Sequence, residues 1–183
     1  MIILNEPITL GDWRELKKLY KSAFPKEERK PFALIKRMKQ RGYCDVLSFH
    51  EDGNFLGLAI TVFYENDVLI DYFAVNEKKR GLGLGTKMLG ILLNQYKTSR
   101  VFLEVERPYP KKQGFDTKLK RKSFYLKQGF CDTGVAIRLF GVEFDLLSFG
   151  GELTFEEYYS FYLNVVGKFA PEGLIERNVI KID

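Results

Sequence analysis

The chain has 183 residues, 45% hydrophobic and 29% charged, with a net charge of +5. That size and balance suit one soluble globular domain, residues 1–183, and exclude a disordered or fibrous chain. The positive charge is modest and interspersed, which favours an anionic small ligand. No basic stripe interleaved with stacking aromatics argues for nucleic acid.

Cys44 and Cys131 are the cysteines, with neither disulfide framework nor metal spacing, so no metal is expected. Met1–Asn5 lacks a charged stretch leading into a long apolar run, so it does not read as a signal peptide. No apolar run reaches the roughly 20 residues of a membrane span. A cytoplasmic protein without a membrane partner is expected.

Met1–Leu4 predicts a short strand. Asp12 predicts a helix start, with Glu15 three residues on as a capping pair, and Trp13, Leu16, Leu19, Tyr20 and Ala23 form its apolar face. Pro25 ends that helix, and the charged loop Lys26-Glu27-Glu28-Arg29-Lys30 leads to Pro31, a good first helical residue. Phe32, Ile35 and Met38 share a face of the second helix, which Gly42 stops.

Cys44–His50 and Phe55–Tyr64 read as strands joined by the hairpin signal Glu51-Asp52-Gly53-Asn54. His50, the single histidine, falls at that turn and reads as a surface residue. Val68–Val75 is the next strand, followed by a helix carrying Leu84, Met88, Ile91, Leu92 and Tyr96. Val101–Glu106 follows, with Phe102, Glu104 and Glu106 on one face. A helix starting at Asp116 or Thr117 ends at Gly129, and strands near Val135–Phe140 and Val142–Leu147 come next. Thr154 and Glu157 cap a last helix through Val166. Its Tyr158, Tyr159, Phe161 and Tyr162 cover too much circumference for one stripe; the sheet edge or another subunit is one expected site for it, and packing within its own chain is the favoured alternative.

The stretch Asp71 to Leu89 carries the chemistry: an apolar strand, a basic turn, a glycine-rich loop and an amphipathic helix in direct succession. Glycines let the backbone approach closely, and the free N–H groups at a helix start attract an anion. Arg80 adds formal charge, so a pyrophosphate is the expected ligand. Two common phosphate motifs fail on spacing. Gly85 is followed by Thr86-Lys87, the reverse of the P-loop order, and no glycine lies five places before it. Gly81 and Gly83 open a dinucleotide fingerprint, but its third glycine is replaced by Thr86, which argues against an oxidoreductase.

Arg80-x-x-Gly83-x-Gly85, after Ala74-Val75 at a strand end, resembles the acyl-CoA-binding motif of the GNAT superfamily of N-acetyltransferases. Ser123-Phe124-Tyr125-Leu126-Lys127-Gln128-Gly129-Phe130 resembles the Phe-Tyr-x-x-x-Gly-Phe segment that closes the fourth helix of that superfamily. The resemblance runs from about Phe55 to Leu147, and the element order agrees with it. It implies a mixed α/β fold: a twisted mixed central sheet with helices on both faces, here with an extra C-terminal helix in an extension over residues 150–183.

The implied activity is acetyl transfer from acetyl-CoA to a primary amine of a small molecule or protein, by direct attack in a ternary complex. The alternative is an acyl-CoA-binding module of the same fold that transfers nothing. Arg80 and the backbone of Gly81, Leu82, Gly83, Leu84, Gly85 and Thr86 would hold the cofactor pyrophosphate. In the superfamily the preceding strand is bulged, and its free backbone groups bind the pantetheine arm and thioester oxygen; Phe73, Ala74 and Val75 match those positions.

Tyr125 matches the acid for the leaving thiolate, and a phenol is broadly similar in acidity to a thiol. Glu104 and Glu106 are the candidate bases or cation-binding carboxylates, with Asp71 as competitor. Lys118 and Arg121 stand where the family often has an asparagine and a small residue, and could hold CoA phosphates by charge. The acceptor pocket is implied to involve Phe24–Phe32, whose mixed charges show no sign preference, and roughly Ala136–Leu147. A monomer or homodimer fits the resemblance.

Overall fold

A computed structural model describes residues 1–182, apart from the side chain of Glu27 in the charged loop. The chain forms two compact units, Met1–Phe63 with Ile70–Lys97, and Tyr64–Leu69 with Thr98–Asp183.

The first unit comprises β1 (Ile3–Asn5), α1 (Leu10–Ala23), α2 (Phe32–Gln40), β2 (Cys44–Glu51), β3 (Asn54–Tyr64, less its last residue), the second part of β4 (Asp67–Val75) and α3 (Leu84–Gln95). Its strand order is β1-β2-β3-β4. α1 starts earlier than Asp12, because Thr9 is the N-cap. The Thr9 hydroxyl accepts the Asp12 N–H, and the Asp12 carboxylate accepts the Thr9 and Ile8 N–H groups. The β2–β3 hairpin turns on Asp52 and Gly53, both at positive φ, as a tight primed turn requires.

Helices cover both faces of β2. Cys44 donates to the Ile35 carbonyl of α2, while its neighbour Asp45 accepts the Tyr96 hydroxyl at the end of α3. Burial pushes the Cys44 thiol up to about 12, so it packs as an apolar group.

The second unit holds the start of β4 (Asp67–Leu69), β5 (Arg100–Glu106), α4 (Phe115–Lys127), β6 (Cys131–Leu139), β7 (Val142–Phe149), α5 (Phe155–Asn164), α6 (Leu174–Asn178) and β8 (Val179–Ile182). Its strand order is β4-β5-β7-β6-β8, parallel between β4 and β5 and antiparallel elsewhere. α4 begins after Gly114, whose φ of 78° makes it the left-handed cap, slightly before the expected Asp116.

α4 lies on the face of Val101, Leu103 and Val105. Its Lys122 meets Asp145, the cross-strand partner of Val105, and Gly129 lies against Phe149, the partner of Val101. α5 covers the opposite face, with Phe161 edge-on to Phe102 at 5.0 Å. It therefore packs over β5 within its own chain, not at the sheet edge. Its Thr154–Glu157 capping box forms as the sequence predicts. Local sequence pattern does not announce α6 and β8; β8 adds an edge strand to β6.

Candidate active site

The glycine loop opens α3. Gly81 and Gly83 have φ of 82° and 69°, left-handed values that a side chain would strain, and Gly83 is the N-cap. No backbone or side-chain acceptor among the described residues takes the N–H groups of residues 81–86. Gly81, Leu82, Gly83 and Thr86 are exposed, Gly85 is half-buried and Leu84 anchors the helix in the core. Arg80 is exposed and 3.9 Å from Glu77, a loose ion pair that leaves its guanidinium able to turn. A row of open donors with an adjacent cation suits a phosphate-bearing ligand.

Ahead of the loop, Ala74 is buried and Phe73 stands edge-on to Phe49 at 6.2 Å. Gly57 in β3 approaches this strand so closely that a Cβ there would sit 2.3 Å from the Ala74 carbonyl oxygen and 3.2 Å from Val75 Cα. A register shift falls beside it in the β2–β3 pairing, where Leu56 is the extra residue. The Leu56 carbonyl accepts the Asn76 N–H at 2.8 Å.

Asp71 shares the face of Phe73 and Val75 by strand alternation. Its side chain is 4% exposed; Oδ1 takes the Lys30 ammonium at 2.6 Å and Oδ2 is buried without a hydrogen-bond partner. The Tyr72 hydroxyl accepts the Lys30 N–H and donates to the Glu28 carbonyl, while Tyr20 donates to the Lys30 carbonyl. The segment before α2 is thus pinned to β4. Sequence reasoning found Asp71 but missed Lys30, because the two lie 41 residues apart.

In the second unit Tyr125 is buried, edge-on to Phe124 and Phe130. Burial and the Arg121 charge, with no hydrogen bond among the described residues, set the environment of its hydroxyl. Burial pushes the phenol up to about 12, with Arg121 pulling weakly the other way. It is thus a weaker acid than a free phenol, and less evenly matched to a thiol than the sequence suggests.

Glu104 and Glu106 share a face of β5 but have different partners. Glu104 Oε1 accepts the hydroxyls of Tyr158 at 2.7 Å and Tyr162 at 2.6 Å, both from α5. Glu106 lies 3.2 Å from Lys118 of α4. Lys118 therefore carries a carboxylate partner where the sequence suggested a phosphate contact, while Arg121 is exposed. The tyrosine pair was visible in the sequence only as aromatics one helical turn apart.

Residues 13–130, more than half of the chain, match the family described as Acetyltransferase (GNAT) family. The chain belongs to this family. GNAT enzymes are acetyl-CoA-dependent N-acetyltransferases, so the protein is an enzyme of that type. No curated protein matches it in sequence.

Among solved structures, a protein from Bacteroides thetaiotaomicron assigned to the GNAT family is similar, with a TM-score of 0.70 and 22% identity. That match covers 90% of this chain and 97% of the other. An aminoglycoside 6'-N-acetyltransferase complexed with coenzyme A has a TM-score of 0.63 at 13% identity, covering 80% and 96%. The ribosomal-protein-S18-alanine N-acetyltransferase of Escherichia coli has a TM-score of 0.61 at 15% identity, covering 84% and 96%. These likenesses establish the GNAT fold.

Among the described residues, no helix is long and apolar enough to cross a membrane, and no cluster of metal-ligating side chains occurs.

Proposed function

We propose that this GNAT enzyme acetylates a primary amine, on a small molecule or a protein, by direct attack on acetyl-CoA in a ternary complex. The observation that carries the reading is the row of N–H groups from Gly81 to Thr86, open to a ligand and flanked by Arg80. These donors fit a pyrophosphate, and the α3 dipole reinforces them.

Bound acetyl-CoA supplies a thioester carbonyl as the electrophile. Backbone groups of Phe73, Ala74 and Val75 would orient the pantetheine arm and polarise the carbonyl, an effect of about 3 kcal/mol for one well-aimed N–H. Lys118 and Arg121 add charge for the CoA phosphates, with Lys118 leaving Glu106 to do so. Glu104 and Glu106 face the acceptor amine, taking its charge or its proton.

Tyr125 serves the leaving sulfur. With the phenol near 12 and a thiol near 8.5, complete proton transfer to the released thiolate is uphill by about 5 kcal/mol. The phenol stays protonated at every working pH, so Tyr125 acts first as a hydrogen-bond donor to the developing thiolate.

Thiol release from acetyl-CoA with a defined amine panel tests this reading. The panel holds an aminoglycoside, a peptide beginning with alanine, and a simple diamine. Amine-dependent thiol release with matching acetylated product supports the proposal. Binding of acetyl-CoA with no thiol release, even by slow hydrolysis, would indicate the silent acyl-CoA-binding module instead.

A further inference from the structure

The extension beyond the family match contributes α5, whose Tyr158 and Tyr162 are 0% and 1% exposed. Their rings lie 4.9 Å apart, one helical turn from each other, and both hydroxyls converge on one oxygen of Glu104. Distances of 2.7 and 2.6 Å are those of hydroxyls bonded to a carboxylate, which accepts two donors on one oxygen far better than a neutral acid does.

The helix is held firmly enough to impose that geometry. Its Phe161 packs on Phe102, two residues from Glu104 on the same face. At its other end Glu157 accepts from Arg100, whose guanidinium also grips Asp67 through two hydrogen bonds. Neither phenol is needed to fill space as a polar group: phenylalanine would pack the same volume. What the hydroxyls add is a fixed orientation and a preference for the charged form of Glu104.

We propose that Tyr158 and Tyr162 are positioning residues that hold Glu104 as an oriented anion for the acceptor amine. The C-terminal extension is then a working part of the enzyme. This rests on the acetyltransferase reading, in which Glu104 faces the acceptor. Glu106 on the same face is engaged with Lys118, and Arg100 with Asp67 and Glu157. Removing either phenol removes a hydrogen bond made to Glu104 itself.

The test compares wild type with Tyr158→Phe, Tyr162→Phe and the double variant. Glu104 is followed by its side-chain carboxyl carbon resonance in glutamate-labelled protein, assigned with Glu104→Gln. Each loss of a hydroxyl should raise the pH midpoint of Glu104, and the double variant should raise it most. The double variant should also raise KM for whichever panel amine wild type acetylates, and move the acid limb of kcat/KM upward in pH. The acetyl-CoA KM should stay unchanged.

A midpoint equal in wild type and double variant overturns the proposal. So does a double variant with wild-type acceptor kinetics at every pH. Thermal unfolding with acetyl-CoA separates the two levels of inference. A wild type that acetyl-CoA does not stabilise fails the acetyltransferase reading itself. A stabilised wild type and double variant with identical Glu104 titrations fail only the role of the tyrosines.

Discussion

The glycine loop of the first unit and the carboxylates of the second are partnered in different ways. In the first, the N–H groups of residues 81–86 have no acceptor among the described residues, and a buried oxygen of Asp71 has no donor. In the second, the carboxylates are engaged: Glu104 by two phenols, Glu106 by Lys118, and Asp145 by Lys122 and Arg107. Open donors at a helix start are stable only while water or a ligand satisfies them. Carboxylates fixed by neighbours are arranged before any ligand arrives. On the proposed reading the first unit offers a docking surface for an anion, and the second offers carboxylates already held in place.

The strongest way to break this comparison is Gly57→Ala. The added methyl would lie 2.3 Å from a backbone oxygen of β4 and 2.5 Å from Met88 Cε. The carbonyl cannot yield without distorting the strand, so the cost should be about 3 kcal/mol in chemical denaturation, with weakened acetyl-CoA binding. A variant with wild-type stability would show that β3 and β4 are not so tightly apposed.

Lys30→Met should cost nearly as much, about 3 kcal/mol, by leaving the buried Asp71 carboxylate without its cation. Adding Asp71→Asn should recover most of it, since the unpaired charge is then gone. An additive double variant would contradict the pairing.

In the second unit, Tyr125→Phe should lower kcat about 100-fold, with little change in acetyl-CoA KM. Because the phenol titrates near 12, the Tyr125-dependent share of the rate should be flat from pH 6 to 10. Unchanged turnover at saturation would remove Tyr125 from the chemistry. Arg80→Ala should weaken acetyl-CoA about tenfold at low salt and less at high salt, as an exposed cation–phosphate contact requires.

The smallest effect compares matching devices in the two units. Asp12 is held below the ordinary carboxylate value by the Thr9 and Ile8 N–H groups. Glu157 is held down by the Thr154 N–H and then by Arg100. Such groups stabilise fully above the ordinary carboxylate range and lose the contribution as pH falls through the folded values. Both helix starts should fray below about pH 4, and Glu157→Gln should flatten only the α5 part of the acid melt followed by amide exchange.

Short-range physics explains what the sequence made legible. The β2–β3 hairpin, the glycine loop into α3, the Gly129 stop and the Thr154 capping box are each written within a few residues. Asp12 was recognised as a capping residue, but Thr9, three places earlier, sets the true start of α1. The short α6 and β8 depend on pairing with β6, about 40 residues away in the chain, so local pattern could not announce them. The site follows the same rule. The loop donors were legible in sequence, whereas the partners of Glu104, Asp71 and Lys118 were not, since each is supplied by a distant element.

The most direct test of the central claim is thermal unfolding of the protein with acetyl-CoA, NAD or ATP added separately. A ligand at 100 times its Kd stabilises by about 2.7 kcal/mol, a rise of several degrees for a chain of this size. The account predicts a rise with acetyl-CoA that Arg80→Ala diminishes, and none of comparable size with NAD or ATP. Stabilisation by NAD or ATP, with none by acetyl-CoA, would contradict it.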